Sequence, residues 1–122
     1  MNSEIKDVLQ QHVTLNDNDL LQMRRLKLGL SQQAVADKAD IPLQSYQQFE
    51  SGKRSIRRAS FQIACQVLEA LDIDFARFHR HEYSILEMDA HSFPPETINK
   101  GKKFLDKLLN TPIEKYEHPK SS

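Results

Sequence analysis

Apolar residues recur along this chain with the spacing of an amphipathic helix, in which one side of each segment is hydrophobic. Near the start, Ser3 is a candidate N-cap for a helix that carries Ile5, Val8, Leu9 and Val13 on one face. Apolar residues with helical spacing continue along the chain to about residue 109. The pattern predicts helices over residues 3–13, 20–28, 32–39, 43–50, 59–71 and 96–109, with one further turn capped by Asp74.

Residues 31–51 combine two short helices with a tight turn between them. Ser31 is a candidate N-cap for the first helix, and Asp40 with Ile41 forms the turn. Pro42 suits the first turn of the second helix, because its missing N–H is not needed there. Two short helices joined in this way are typical of a helix-turn-helix unit.

The second helix of this unit has two different faces. Tyr46 and Phe49 are spaced as apolar anchors, whereas Gln44, Gln47 and Gln48 share the opposite side at positions i, i+3 and i+4. Glutamine can form two hydrogen bonds with the major-groove edge of adenine. Glutamine-rich helix surfaces are common, so the spacing alone does not establish base reading.

Other segments are defined less completely by the pattern. In the 59–71 helix we expect Phe61, Ala64, Cys65, Leu68 and Leu71 to face inward. Residues 83–88 fit a short strand or a further helical segment, and residues 117–122 are expected to form a frayed tail. We divide the chain into an N-terminal helical extension (1–17), a central domain (18–79) and a C-terminal extension (80–122).

The overall charge conceals a local imbalance. The 122 residues have a net charge of zero, and 39% of them are hydrophobic, as in a globular domain. Residues 18–58, however, contain eight Lys or Arg against four Asp or Glu, a local net charge of +4. Since electrostatic steering depends on the local field, this basic region can attract a phosphate backbone.

Several classes of function receive no support from the sequence. No apolar run is long enough to span a bilayer, the start does not resemble a secretory signal, and the single Cys65 suits a reducing cytoplasm. The cluster His79-Arg80-His81-Glu82 does not match a zinc site. With no phosphate loop or nucleophile motif, we expect a cytoplasmic protein with no metal, cofactor or catalytic residue.

A longer motif makes the helix-turn-helix interpretation specific. It consists of the stretch Arg25-Leu26-Lys27-Leu28-Gly29-Leu30-Ser31-Gln32-Gln33-Ala34-Val35-Ala36 followed by Phe49-Glu50-Ser51-Gly52-Lys53-Arg54. The chain resembles the phage-repressor and Cro family, the XRE type, from about Leu20 to Phe78. The resemblance implies an all-α fold, a five-helix lambda-repressor-like DNA-binding domain, to which this chain adds an N-terminal helix and a C-terminal extension containing a further helix.

The resemblance also implies roles for individual residues. The helix over 43–50 would enter the major groove of double-stranded DNA, and Arg25 with Glu50 would form a structural ion pair. Gln47 joins the base-reading group on helical geometry. The predicted base-reading residues are Leu43, Gln44, Gln47 and Gln48, and the predicted phosphate contacts are Gln32, Gln33, Lys53, Arg54 and Arg57. Arg58 is a weaker candidate for phosphate contact.

The sequence departs from the family pattern at three places. Asp40 stands where a turn glycine is usual, so we expect strain there. Leu43 places an apolar side chain at a position often occupied by a polar reader, where it either contacts a thymine methyl or packs. Residues 55–58 replace a commoner proline-containing link.

The apolar stripe of the last predicted helix has two interpretations. Its residues, Ile98, Phe104, Leu105, Leu108 and Leu109, either pack on the central domain or form a dimer interface, and we favour the interface because helix-turn-helix proteins usually bind as dimers. The N-terminal helix is the competing interface. We expect a homodimeric, sequence-specific repressor. The alternative is an antitoxin whose protein partner is held by residues 80–122.

Overall fold

The computed structural model describes residues 15–84 and 93–110. Within those ranges the chain forms helices and no β-strand, as the all-α prediction requires. The α-helices are α1 (Asp17–Lys27), α2 (Gln32–Ala39), α3 (Leu43–Ser51), α4 (Phe61–Ala70), α5 (Phe75–His79) and α6 (Ile98–Leu109), with short 3₁₀ turns at Ile56–Arg58 and Pro95–Thr97. The predicted helix over 3–13, most of the 83–88 segment and the 117–122 tail lie outside the described residues.

Side-chain caps fix several helix ends close to the predicted positions. The Ser31 hydroxyl accepts a hydrogen bond from the Ala34 N–H, and the Asp74 carboxylate accepts one from Arg77. These bonds satisfy N–H groups that have no partner within the helix. Pro42 is not in the first turn of α3 as we expected. It is the N-cap, with an extended backbone, and the helix begins at Leu43.

One hydrophobic core joins the helices. The largest fully buried side chains come from five different elements and are Leu21, Val35, Tyr46, Phe49, Ile56, Val67 and Leu71. Full burial of such side chains contributes about 1.5–3 kcal/mol each. Phe61 does not take part, contrary to expectation, and is 83% exposed. The buried residues of α4 are Val67, Leu68 and Ala70, and Leu71 directly after the helix is fully buried, so the prediction for Leu68 and Leu71 is confirmed.

The C-terminal helix α6 packs against α1. Phe93, Phe104 and Leu108 are buried in the common core, and the Thr97 hydroxyl donates a 2.8 Å hydrogen bond to the Leu26 carbonyl near the end of α1. At the other end of α6, Lys107 lies beside the first residues of α1. The two helices therefore run antiparallel.

This packing supports the first of the two interpretations of the α6 stripe, and the dimer interface that we favoured stays a prediction. Phe104 and Leu108 are 3% and 6% exposed within a single chain, and Ile98 and Leu105 are partly buried against the same core. Of the five residues in the stripe, Leu109 alone is fully open to solvent, with 67% of its surface exposed. The stripe therefore stabilises the protomer, because its largest side chains are already covered.

Candidate nucleic-acid interface

A residue in the left-handed backbone conformation forms the tight turn between α2 and α3. Asp40 has φ 58° and ψ 46°, and its N–H bonds to the Asp37 carbonyl. Asp adopts this conformation at a modest cost that glycine would avoid. On either side of the turn, Ala36 is fully buried and Ile41 nearly so, which allows α2 and α3 to cross closely.

Helix α3 presents a polar surface to solvent and an anchored surface to the core. Tyr46, Phe49 and Glu50 are buried. Gln44 and Gln47 are exposed, whereas Gln48 and Leu43 are half-buried, with Leu43 packed against the hydrophobic core. The four predicted base-reading residues therefore share the outer side of one helix, but Leu43 is partly committed to packing.

The carboxylate of Glu50 is the centre of a buried hydrogen-bond network. Arg25 donates from Nε to Oε2 and from Nη2 to Oε1, each at 2.8 Å, and the Tyr46 hydroxyl donates to Oε2. Gln32 Nε2 completes the network with a 2.9 Å bond to Oε1. One acceptor group thus ties together α1, α2 and α3, the three helices that set the position of the polar surface.

Burial and charge shift the titration of two groups in this network. Burial, followed by the negative charge of Glu50, raises the pKa of Tyr46 well above its ordinary value. Burial alone would lower the pKa of Arg25, but the hydrogen bonds and charge of Glu50 outweigh it and leave that pKa raised. Arg25 therefore stays charged and Tyr46 stays a donor at neutral pH.

Gln32 connects the buried network to the surface of α3. Since the Glu50 carboxylate can only accept, Gln32 must turn its amide nitrogen inward and its carbonyl oxygen outward. That oxygen accepts a 3.0 Å hydrogen bond from Nε2 of Gln47. The arrangement fixes the orientation of Gln47 on the exposed surface of α3.

Four cationic residues lie on the segment that follows α3, and three of them, Lys53, Arg54 and Arg58, share one environment. Gly52 ends the helix in a left-handed conformation, with φ 84°, and turns the chain toward Lys53 and Arg54. The Arg54 guanidinium lies 4.9 Å from the centre of the Phe49 ring. Lys53, Arg54 and Arg58 border a shallow groove, and none of the three forms an ion pair within the described part of the chain.

Arg57 is held in a different environment. Its Nε donates a 2.7 Å bond to Asp17, its Nη2 donates a 2.6 Å bond to the Phe78 carbonyl, and its guanidinium lies 4.0 Å from the centre of the Phe78 ring. A phosphate would have to compete with all three contacts. The phosphate contact predicted for Arg57 stays a prediction, and the geometry favours a structural role for this side chain.

Comparison with known protein families agrees with this architecture. The family model described as helix-turn-helix matches residues 21–78, which include α2 to α4 and most of α1 and α5. These residues are a helix-turn-helix domain of the phage-repressor and Cro type. Such a domain belongs to DNA-binding transcriptional regulators. No significant match was found among curated proteins or solved structures.

The helix-turn-helix domain brings most of the predicted site residues to one side. Gln32 and Gln33 lie in the first turn of α2, where Gln32 bonds to Gln47 of α3, and Lys53 and Arg54 follow α3 closely. Gln33 bonds to Asp37 within its own helix. In the described ranges, no helix combines the length and apolar character that a bilayer span requires.

Two contacts around the helix-turn-helix domain were missed by sequence reasoning. Tyr46 was expected only as an apolar anchor, yet its hydroxyl bonds to Glu50; the i, i+4 spacing within α3 was the available signal. Arg24 was counted only among the basic residues, but it donates hydrogen bonds to the Leu71 and Asp72 carbonyls after α4. No local pattern indicates that contact.

Proposed function

We infer that this protein is a sequence-specific operator-binding repressor that acts as a homodimer. The observation that carries the proposal is the surface of α3, where Gln44 and Gln47 are exposed and Gln48 is half-buried. The groove bordered by Lys53, Arg54 and Arg58 follows this helix in the chain. Amide side chains discriminate between base edges in the major groove, and Lys and Arg bind phosphate. Occupancy of a promoter is sufficient for repression, so the proposal requires no second activity.

The proposed division of labour places base reading on Gln44 and Gln48 and phosphate binding on Lys53 and Arg54. Gln47 joins the reading group through its bond to Gln32, and Leu43 supplies an apolar contact beside it. A dimer would place two such surfaces about one helical turn of DNA apart. Two protomers are therefore expected on one palindromic operator.

The decisive experiment selects the preferred site from random duplexes and then measures affinity for that site and for an unrelated duplex. Q44A/Q48A is expected to lose discrimination by about 1–3 kcal/mol for each base contact removed. K53A/R54A is expected to weaken both duplexes about equally and to lower the salt slope by about 1 per cation. Asn99→Ala, which removes an exposed amide from α6, is the matched control.

Three outcomes would contradict the proposal. No sequence is enriched by the selection, binding does not weaken as salt rises, or Q44A/Q48A retains the full preference for the selected site. The number of protomers on the operator, measured by sedimentation, tests the homodimer separately. Binding of the wild type to DNA upstream of its own gene, compared at two salt concentrations, tests operator binding, because a DNA-binding protein loses affinity steeply as salt rises.

A further inference from the structure

Helix α6 carries a row of lysines that the helix-turn-helix domain does not include. Lys100, Lys103 and Lys107 are exposed and lie at positions i, i+3 and i+7, which place them on one flank of the helix. The opposite flank carries Lys102 and Asp106. The apolar edge between the two flanks is buried against the core, so the lysine row has a fixed orientation.

The end of this row reaches the predicted DNA-binding surface. Lys107 lines one groove together with Gln22 of α1, Gln32 of α2 and Gln47 and Ser51 of α3. Gln32 and Gln47 are joined by their hydrogen bond and belong to the predicted contact residues. A side chain from outside the matched domain thus lies beside the residues that would face DNA.

We propose that the lysine row of α6 binds the DNA backbone next to the base pairs read by α3, a proposal that rests on the proposed function above. Charge complementarity identifies the partner, because three cations on one flank, continuous with a surface suited to phosphate, match a row of phosphates. The groove also contains the carboxylates of Asp19 and Glu50. Arg25 neutralises Glu50, Asp19 and Lys107 line the same groove, and Lys100 and Lys103 extend the positive row beyond it.

The docking of α6 makes this contribution rigid. Burial of Phe104 and Leu108, together with the bond from Thr97 to Leu26, attaches the helix to α1 along its length. Its lysines therefore need no folding step before binding, unlike those of a disordered tail. The C-terminal extension would enlarge the DNA footprint beyond that of the domain alone.

The test compares the full-length triple variant K100Q/K103Q/K107Q with the wild type. Two operator duplexes are used, one limited to the selected base pairs and one with added flanking base pairs. The wild type is expected to bind the longer duplex more tightly. The triple variant is expected to lose that advantage, to bind about tenfold or more weakly at 0.15 M salt, and to show a salt slope lower by about 2–3.

Two control proteins make the result specific. Lys102→Gln changes a lysine on the other flank of α6 and is expected to bind as the wild type does. K100R/K103R/K107R keeps the charges and is expected to retain the flanking-sequence advantage. Thermal melting by circular dichroism verifies that each variant is folded, which is expected because all of the substituted side chains are exposed.

The outcomes separate this proposal from the one on which it rests. If the wild type binds no preferred sequence, the proposed function fails first. If the wild type selects a site and the triple variant keeps both the flanking advantage and the wild-type salt slope, only the role of α6 is overturned. That second result would point to another occupant of the lysine row, such as an acidic protein surface.

Discussion

Arg25 and Glu50 form a bidentate ion pair inside the protein, with both nitrogen to oxygen distances at 2.8 Å and with side chains that are 11% and 6% exposed. Arg25 belongs to α1 and Glu50 to the end of α3. The pair therefore fixes α3 relative to α1. Tyr46 and Gln32 bond to the same carboxylate, so Glu50 has a partner from each surrounding helix.

Replacing Glu50 by Ala is expected to lower the free energy of unfolding by about 3–5 kcal/mol. The substitution leaves the Arg25 guanidinium buried without its counter-charge, and it removes the acceptor used by Tyr46 and Gln32. Urea denaturation measures the change. The control is Glu69→Ala on the exposed face of α4, expected within about 0.5 kcal/mol of the wild type. An unchanged midpoint for Glu50→Ala would show that the pair contributes little.

Alkaline conditions are expected to weaken the wild type more than Tyr46→Phe. Because the pKa of Tyr46 is raised in the folded state, the stability linked to its proton is complete below the ordinary tyrosine value of about 10. Above that pH the unfolded chain releases the proton more readily, and the free energy of unfolding falls by up to about 1.4 kcal/mol per pH unit.

The measurement is urea denaturation of both proteins from pH 7 to pH 11. The wild type is expected to be the more stable protein at pH 7, since Tyr46→Phe removes a hydrogen bond to a carboxylate. That difference should be constant up to about pH 9 and should narrow above pH 10. A constant difference over the whole range would mean that Tyr46 does not resist ionisation in the folded protein.

Local rules predicted the helices well and the side-chain contacts less well. Ser31, Asp74 and Gly52 act through their immediate neighbours, so their capping roles can be identified from sequence. The bond from Gln32 to Gln47 and the pair of Arg57 with Asp17 join different elements. Those contacts depend on how helices cross, which periodicity does not specify.

The expectations for Phe61 and for the α6 stripe rested on the same kind of evidence, a hydrophobic pattern. Phe61 lies in the first turn of α4 and is exposed, whereas the buried residues of this helix, Val67, Leu68 and Ala70, lie near its C-terminal end. The α6 stripe is amphipathic whether it packs on the same chain or on another. A hydrophobic pattern identifies a buried face but does not identify the surface that covers it.

Gly101→Ala is expected to destabilise the protein although alanine favours helices. A Cβ at this position would lie 2.5 Å from two atoms of the Phe93 ring, so the ring or α6 must shift. Overpacking of this kind costs about 1–3 kcal/mol, compared with a helix-propensity gain of about 1 kcal/mol. Thermal unfolding measures the net change, with Leu109→Ala on the exposed end of α6 as the control.

A melting temperature equal to or above that of the wild type would indicate that α6 does not pack as described. In that case the apolar stripe would again be available for a dimer interface. A loss for Gly101→Ala with little change for Leu109→Ala would locate the packed face on the side of Phe93. The pair of variants therefore tests the arrangement on which the proposed role of the lysine row depends.

Arg57 and Arg58 are neighbours in the chain, but alanine is expected to lower stability at Arg57 and to weaken DNA binding at Arg58. Arg57→Ala removes the ion pair with Asp17 and the contacts with Phe78, and it should lower the free energy of unfolding by about 1–2 kcal/mol. Arg58 is exposed and borders the groove beside Lys53. Arg58→Ala should leave stability within about 0.5 kcal/mol and lower the salt slope of DNA binding by about 1.

Urea denaturation and DNA titrations on both variants separate stability from binding. The DNA measurements are made under conditions in which both proteins are fully folded, so that a loss of stability is not mistaken for weaker binding. If Arg57→Ala keeps the wild-type unfolding midpoint and lowers the salt slope as Arg58→Ala does, Arg57 contacts phosphate and its bond to Asp17 contributes little. If Arg57→Ala changes only the stability of the protein, Arg57 has a structural role, in which it connects Asp17 of α1 to Phe78 of α5.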